Sequence, residues 1–191
     1  PKIAVYTPPN KQPWDDAVTM ALEYAQIDYE EIWDEEVLNG ALDDYDWLHL
    51  HHEDFTGQYG KFYGSYGREP WYREQQTAYE TMARRLGYTK VSDQKKAVVI
   101  EIYEYMVAGG FLFAMCSATD TFDIALAALD LDICHQIFDG DGASAQVQGK
   151  LNFDRTMAFE NFTLEMNPLV YEFSDIDTTP TDMRQIRTAE A

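Results

Sequence analysis

The run Phe111-Leu112-Phe113-Ala114-Met115 is apolar at every position and lies between the pair Gly109-Gly110 and the turn Cys116-Ser117-Ala118. A strand with one wet face alternates polar with apolar residues. One without alternation is buried on both faces, as in the centre of a parallel sheet covered by helices. Parallel strands need helical crossovers, and the flanks supply them. Ser92 or Asp93 is placed to cap a helix that runs to Ala108, and Phe122, Ala125, Leu126 and Leu129 form the stripe of the next. The segment reads helix, central strand, tight turn, helix.

The rest of the chain repeats that grammar. Lys2 to Thr7 is a first strand, stopped by Pro8-Pro9, and Trp14, Val18, Ala21, Leu22 and Ala25 give a helix started by Pro13 and Asp15-Asp16. Tyr29 to Trp33 and Asp46 to His52 are the next strands. In the latter, Trp47, His49 and His51 share one face and Leu48, Leu50 and His52 the other. Phe55 to Pro70, rich in Gly and Tyr, reads as a long loop. Trp71 to Leu86 is a helix with Gly87 as its left-handed cap, and Ile133 to Phe138 is a further strand. Alternating strands and helices predict an α/β fold: a flavodoxin-like three-layer sandwich with a mostly parallel sheet. From Ala145 to Phe173 the pattern becomes an irregular or antiparallel extension. One domain is expected over residues 1–174, followed by a polar tail over 175–191.

Composition narrows the function. A chain of 191 residues suits one domain, and a net charge of −20 repels nucleic-acid phosphates and anionic lipid surfaces, so neither is an expected partner. No apolar stretch is long enough to insert in a membrane, so a soluble chain is expected. Two cysteines make no disulfide framework, no motif calls for a cofactor or metal, and oligomeric state is not legible. The chain starts at Pro1 rather than Met, so a processed or truncated N-terminus is expected, and the residues leave cytoplasm and periplasm both open.

Ligands of open parallel sheets bind beyond the carboxyl ends of the strands. That rim holds the loop from Thr7 to Pro13, the cluster His51-His52-Glu53-Asp54 and the turn Cys116 to Asp120. A cysteine between a strand and a helix N-terminus is set up as a nucleophile, with the Ser117 amide to hold an oxyanion and His51 or His52 as base. Asp54, Asp120 and the loop tyrosines Tyr59 and Tyr63 are candidates for contacting a substrate. Each has a plainer reading: Cys116 as a small buried hydrophobe, His51 and His52 as loop-ordering groups, Asp120 as a helix cap, aromatics as core. A metal on His49, His51 and Glu53 or Asp54 is a further alternative. Cys134 reads as a packing residue.

Gly109 to Phe122 (GGFLFAMCSATDTF) resembles the strand-elbow-helix segment of the ThuA-like branch of the class I glutamine amidotransferase-like superfamily. Cys116 stands where that branch usually has His. Ala114 and Ala118 stand where the glutaminases have the glycines of their G-x-C-x-G elbow. Over Lys2 to Asp177, with KIAVYTPPNKQPWDDAV and YDWLHLHHEDFTGQYGKFY as its marks, the chain is similar to bacterial proteins grouped under the name asparagine synthetase B. It nevertheless lacks an N-terminal Cys and an ATP-pyrophosphatase signature. Members of that set are longer and often carry a signal peptide, which implies that this chain is a middle portion and points towards the periplasm. The superfamily resemblance implies a cysteine hydrolase acting on an amide or ester. The family's catalytic His follows the Cys in a motif absent here, where only His135 comes later. The alternative is a non-catalytic domain that keeps the fold and binds a small molecule, carbohydrate, peptide or protein.

Overall fold

Parallel strands cannot be joined by tight turns, and every pair of consecutive strands in this chain is separated by at least one helix. The computed structural model describes residues 1–9 and 17–177. Strands β1 (Ile3–Tyr6), β2 (Glu30–Ile32), β3 (Trp47–Leu50) and β4 (Phe111–Ala114) form an all-parallel sheet in the order β2-β1-β3-β4. The helices are α1 (Ala17–Tyr24), α2 (Asp34–Leu38), α3 (Tyr63–Tyr66), α4 (Pro70–Arg85), α5 (Val91–Val107), α6 (Ser117–Ala127) and α7 (Gln136–Asp139). The path β1 to β2 steps one way and β2 to β3 steps back, so right-handed crossovers put α1 and α2 on opposite faces. The result is a flavodoxin-like three-layer α/β sandwich. No helix among the described residues is long and apolar enough to cross a membrane.

Alternation along the strands assigns the core. Ala4, Tyr6, Leu48 and Leu50 point to one face and pack against Val98, Val99 and Ile102 of α5 and Ala118 and Phe122 of α6. Trp47 and His49 point to the other, where they pack against Phe111 at 5.7 Å and Phe113 at 5.3 Å between ring centroids. Glycines close the two long helices as the sequence predicts. Gly87 (φ 92°) and Gly109 (φ 107°) follow α4 and α5, and the next residues, Tyr88 and Gly110, return hydrogen bonds to Ala83 and Tyr105.

Four local expectations change. Residues 133–138 are not a strand: the His135 ring accepts a hydrogen bond from the Ile137 amide at 3.2 Å and opens α7, which Gly140 (φ 90°) ends. With no fifth strand among the described residues, β4 is an edge strand there rather than a central one, and Phe111 and Phe113 are 57% and 44% exposed. The stretch 55–70 carries a 3-10 turn at Tyr59–Lys61 and the short α3, and Ser92 and Asp93 lie inside the first turn of α5, not ahead of it. Trp14 and the helix start at Pro13, Asp15 and Asp16 lie outside the described residues, as does the tail beyond 177.

The extension is irregular, with two 3-10 turns and one antiparallel bridge, Leu164 to Ser174. Two buried charges hold it. The Asp123 carboxylate on α6 accepts the amides of Met157, Ala158 and Phe159 at 2.8, 2.8 and 2.7 Å. The Lys61 ammonium donates to the carbonyls of Glu165 and Glu172 at 2.7 and 2.8 Å. Charge-assisted bonds to buried amides are costly to lose. Asp123→Ala is expected to destabilise the protein by about 3 kcal/mol. Limited proteolysis is expected to cut residues 151–177 before the sheet, and an unchanged cleavage pattern would contradict the clamp.

Candidate functional site

Between β4 and α6 the chain must turn within two residues, Met115 and Cys116, and Cys116 takes that turn with φ 51° and ψ −138°. This is a conformation that residues other than glycine rarely hold, costing roughly 1–3 kcal/mol. It lifts an exposed thiol above the carboxyl edge of the sheet. Helix α6 starts immediately behind it. The Ala118 amide bonds to Met115 and His51 carbonyls and the Thr119 amide to Cys116. The Ser117 amide, first in the helix, has no intrahelical acceptor and lies beside the thiol.

The loop after β3 is stitched to this elbow. The Met115 amide bonds to Leu50 at 3.0 Å, the Ser117 hydroxyl donates to the His52 carbonyl at 2.8 Å, and the Thr121 hydroxyl donates to the Glu53 carbonyl at 3.0 Å. Farther along, Asp54 accepts the amides of Thr56, Gln58 and Gly60 and the Thr56 hydroxyl, between 2.5 and 2.9 Å. Asp54 thereby shapes the turn that carries Tyr59. Gly57 (φ 82°) is required there, since a Cβ would come within 2.7 Å of the Ser92 backbone.

Two cavities meet at the elbow. One, of about 360 Å³, has Cys116, Ser117, His52, Glu53 and Asp54 at its mouth. Its walls are mostly aromatic: Trp33, Tyr59, Phe62, Tyr66, Trp71, Tyr79 and Tyr171, with Gln75 and Lys95 among them. Its size suits a small organic ligand. The other, of about 400 Å³, is lined by Cys116, Ser117, Asp120 and residues of the extension, Tyr171 and Asp177 among them.

Comparison with family models, curated proteins and solved structures found no match. The site is therefore read from its own geometry.

The two histidines follow the end of β3, and their rings touch, with only His52 lining the cavity. His52 turns to the cavity, on the side of Cys116. The His51 ring lies between those of His49 and His52, 6.4 Å from the first and 3.5 Å from the second between centroids, the latter pair tilted by 33°. Burial, with His52 and His49 adding to it, lowers the His51 imidazole to about 4, so it stays neutral at physiological pH. Tyr59 lines the aromatic cavity, whereas Tyr63 packs on Tyr72 and Phe138 in a side core. Asp120 lines the second cavity.

The metal alternative on His49, His51, Glu53 and Asp54 does not assemble. Asp54 is committed to its loop, and the Glu53 carboxylate accepts the His51 amide at 2.5 Å. The only set among the described residues with converging ligand atoms is Asp132, Cys134 and Asp139, and there the Lys90 ammonium lies 2.5 Å from Asp132 and 3.1 Å from Asp139. Cys134 is fully buried, with its thiol against the Thr56 carbonyl at 3.3 Å.

Sequence reading missed Trp33, Gln75, Tyr79, Lys95 and Tyr171. Trp71, Gln75 and Tyr79 recur every fourth residue, a helix face that could have been found. Tyr171 gave no signal, because only the clamped extension brings it over Cys116.

Two predictions follow from the backbone and the burial. Cys116→Gly, which relieves the turn, is expected to raise unfolding free energy by about 1 kcal/mol in denaturant titration. Cys116→Ala is expected to leave it nearly unchanged; equal effects of both would deny the strain. Asp120, buried first of all and with Asp54 and Asp177 nearby, has its carboxyl raised to about 6 from an ordinary 3.8. The folded state thus binds an extra proton between those values. Its contribution is full below pH 3.8 and is lost as pH rises through about 6. Asp120→Asn is expected to flatten that fall, gaining about 1–3 kcal/mol on wild type between pH 4 and pH 8.

Proposed function

We propose that this chain is a cysteine hydrolase of the class I glutamine amidotransferase-like kind, with Cys116 attacking an amide or ester carbonyl held in the aromatic cavity. The observation that carries the reading is the Cys116 backbone, at φ 51° and ψ −138°, between a parallel strand and a helix N-terminus. A non-glycine residue kept in that conformation, with its thiol exposed at the junction of two cavities, has a use for it other than packing.

In this reading His52 takes the thiol proton as sulfur attacks, and the Ser117 amide holds the oxyanion. The leaving group departs with the proton from His52, and water then hydrolyses the thioester. The neutral His51 lies against His52 and orients it. Loop bonds from Ser117 and Thr121 keep His52 and Glu53 beside the elbow.

In a Cys134→Ala background, Cys116 is expected to be alkylated by iodoacetamide at pH 7 at least about tenfold faster than a free peptide cysteine. His52→Ala is expected to remove most of that advantage and His51→Ala little of it. A thiol as slow as a peptide cysteine, or one indifferent to His52, would sink the reading.

The aromatic walls support a second reading, a binding domain for a sugar or other ring-bearing ligand. A ligand that raises Tm equally in wild type and Cys116→Ser, with no turnover by wild type, would favour it.

A further inference from the structure

Three of the described residues line both cavities: Cys116, Ser117 and Tyr171. The first two are the thiol and the amide of the proposed chemistry, so a carbonyl under attack sits at the junction that Tyr171 also lines. The backbone on which Tyr171 rides is fixed from below. Lys61, 2% exposed, donates to the carbonyls of Glu172, the next residue, and of Glu165, across the return of the chain, at 2.8 and 2.7 Å. The Glu165 amide donates to the Phe173 carbonyl at 2.9 Å. The Tyr171 ring rests against Phe62 at 5.7 Å between centroids, tilted by 30°. The ring is therefore placed on two sides, whereas its hydroxyl makes no hydrogen bond to a described residue.

The oxyanion of an acyl transfer is held by a set of preorganised donors rather than by one. The elbow supplies the Ser117 amide. The amides that follow are committed, Ala118 to the Met115 and His51 carbonyls at 3.2 and 3.4 Å and Thr119 to the Cys116 carbonyl at 3.1 Å. Pro8, which lines the aromatic cavity from the loop after β1, has no N–H to give. We infer that the Tyr171 hydroxyl is the second oxyanion donor, a catalytic role that rests on Cys116 being the nucleophile. As sulfur attacks, the S–C bond forms and the carbonyl π pair moves onto oxygen. That oxygen accepts from the Ser117 N–H and the Tyr171 O–H, and neither donor gives up its proton. When the intermediate collapses, the carbonyl re-forms, the C–N or C–O bond breaks, and the leaving group takes the proton held on His52. A donor in this position must not ionise. Burial first, then Cys116, Asp177 and Asp120 nearby, raises the Tyr171 phenol, so it keeps its proton at neutral pH.

The test compares two reactions of Cys116, each followed by intact mass, in the Cys134→Ala protein with and without Tyr171→Phe. That substitution keeps the ring at an exposed position and removes only the oxygen. p-Nitrophenyl acetate acylates a thiol through a tetrahedral oxyanion, whereas iodoacetamide alkylates it by displacement at a saturated carbon, where no oxyanion forms. Tyr171→Phe is expected to lower the acylation rate at least about tenfold and the alkylation rate by less than about twofold. An unchanged acylation rate, or acylation and alkylation lowered in equal proportion, overturns the role of the hydroxyl and leaves the nucleophile reading standing. A thiol that is alkylated fast but never acylated does the same. A thiol slow towards both reagents before Tyr171 is changed overturns the two together.

Discussion

The contact on which the rest of the molecule depends is the ion pair of Asp34 and Lys95, each about 2–3% exposed, with nitrogen and oxygen 2.9 Å apart. Tyr6 from β1 donates to the same carboxylate, Gln94 adds a bond at 2.5 Å, and the Lys95 ammonium lies 3.9 Å from the centre of the Trp33 ring. Strand β1, helix α2 and helix α5 are thus joined at one charged point under the cavity. Burial and the Asp34 carboxylate push the Tyr6 phenol well above its ordinary range, so it remains a donor. Such a pair adds little net stability over an apolar substitute, but losing one partner strands a buried charge. Its geometric consequence is larger: Trp33, Tyr79 and Lys95 line the cavity because these elements meet there.

Above that floor, the site is assembled by backbone bonds rather than by side-chain contacts. The loop after β3 and the elbow after β4 run side by side because their strands pair in register, Leu50 opposite Ala114. The Ser117 and Thr121 hydroxyls extend the pairing by two residues. Strain at Cys116 is sustained because a paired strand fixes one side of the turn and a buried helix the other. Two further charges, Lys61 and Asp123, fasten the extension so that Tyr171 closes over the thiol. Tyr171 answers to that setting: burial first, then the Cys116 thiol nearby, raises its phenol.

Much of this was legible in the residues. The order of strands and helices, the glycines that stop α4 and α5, and the faces of β3 follow from period and chirality, which are local properties. The place of Cys116 on a strand-to-helix turn was legible for the same reason. The edge position of β4 was not, because an apolar run reports that a strand could be buried, whereas neighbours decide whether it is. Residues 133–138 have a strand's composition, and a capped turn of helix took them instead.

The sequence alone therefore determined the α/β class, the parallel sheet and the elbow, since these depend on spacing within a few residues. Tertiary structure decided which histidine lines the cavity with the thiol, that Lys95 pairs with Asp34 beneath it, and that an aromatic cavity opens at Cys116. Those facts depend on contacts between residues more than fifty positions apart, Ser117 with His52 and Lys95 with Asp34 among them, which no local pattern encodes.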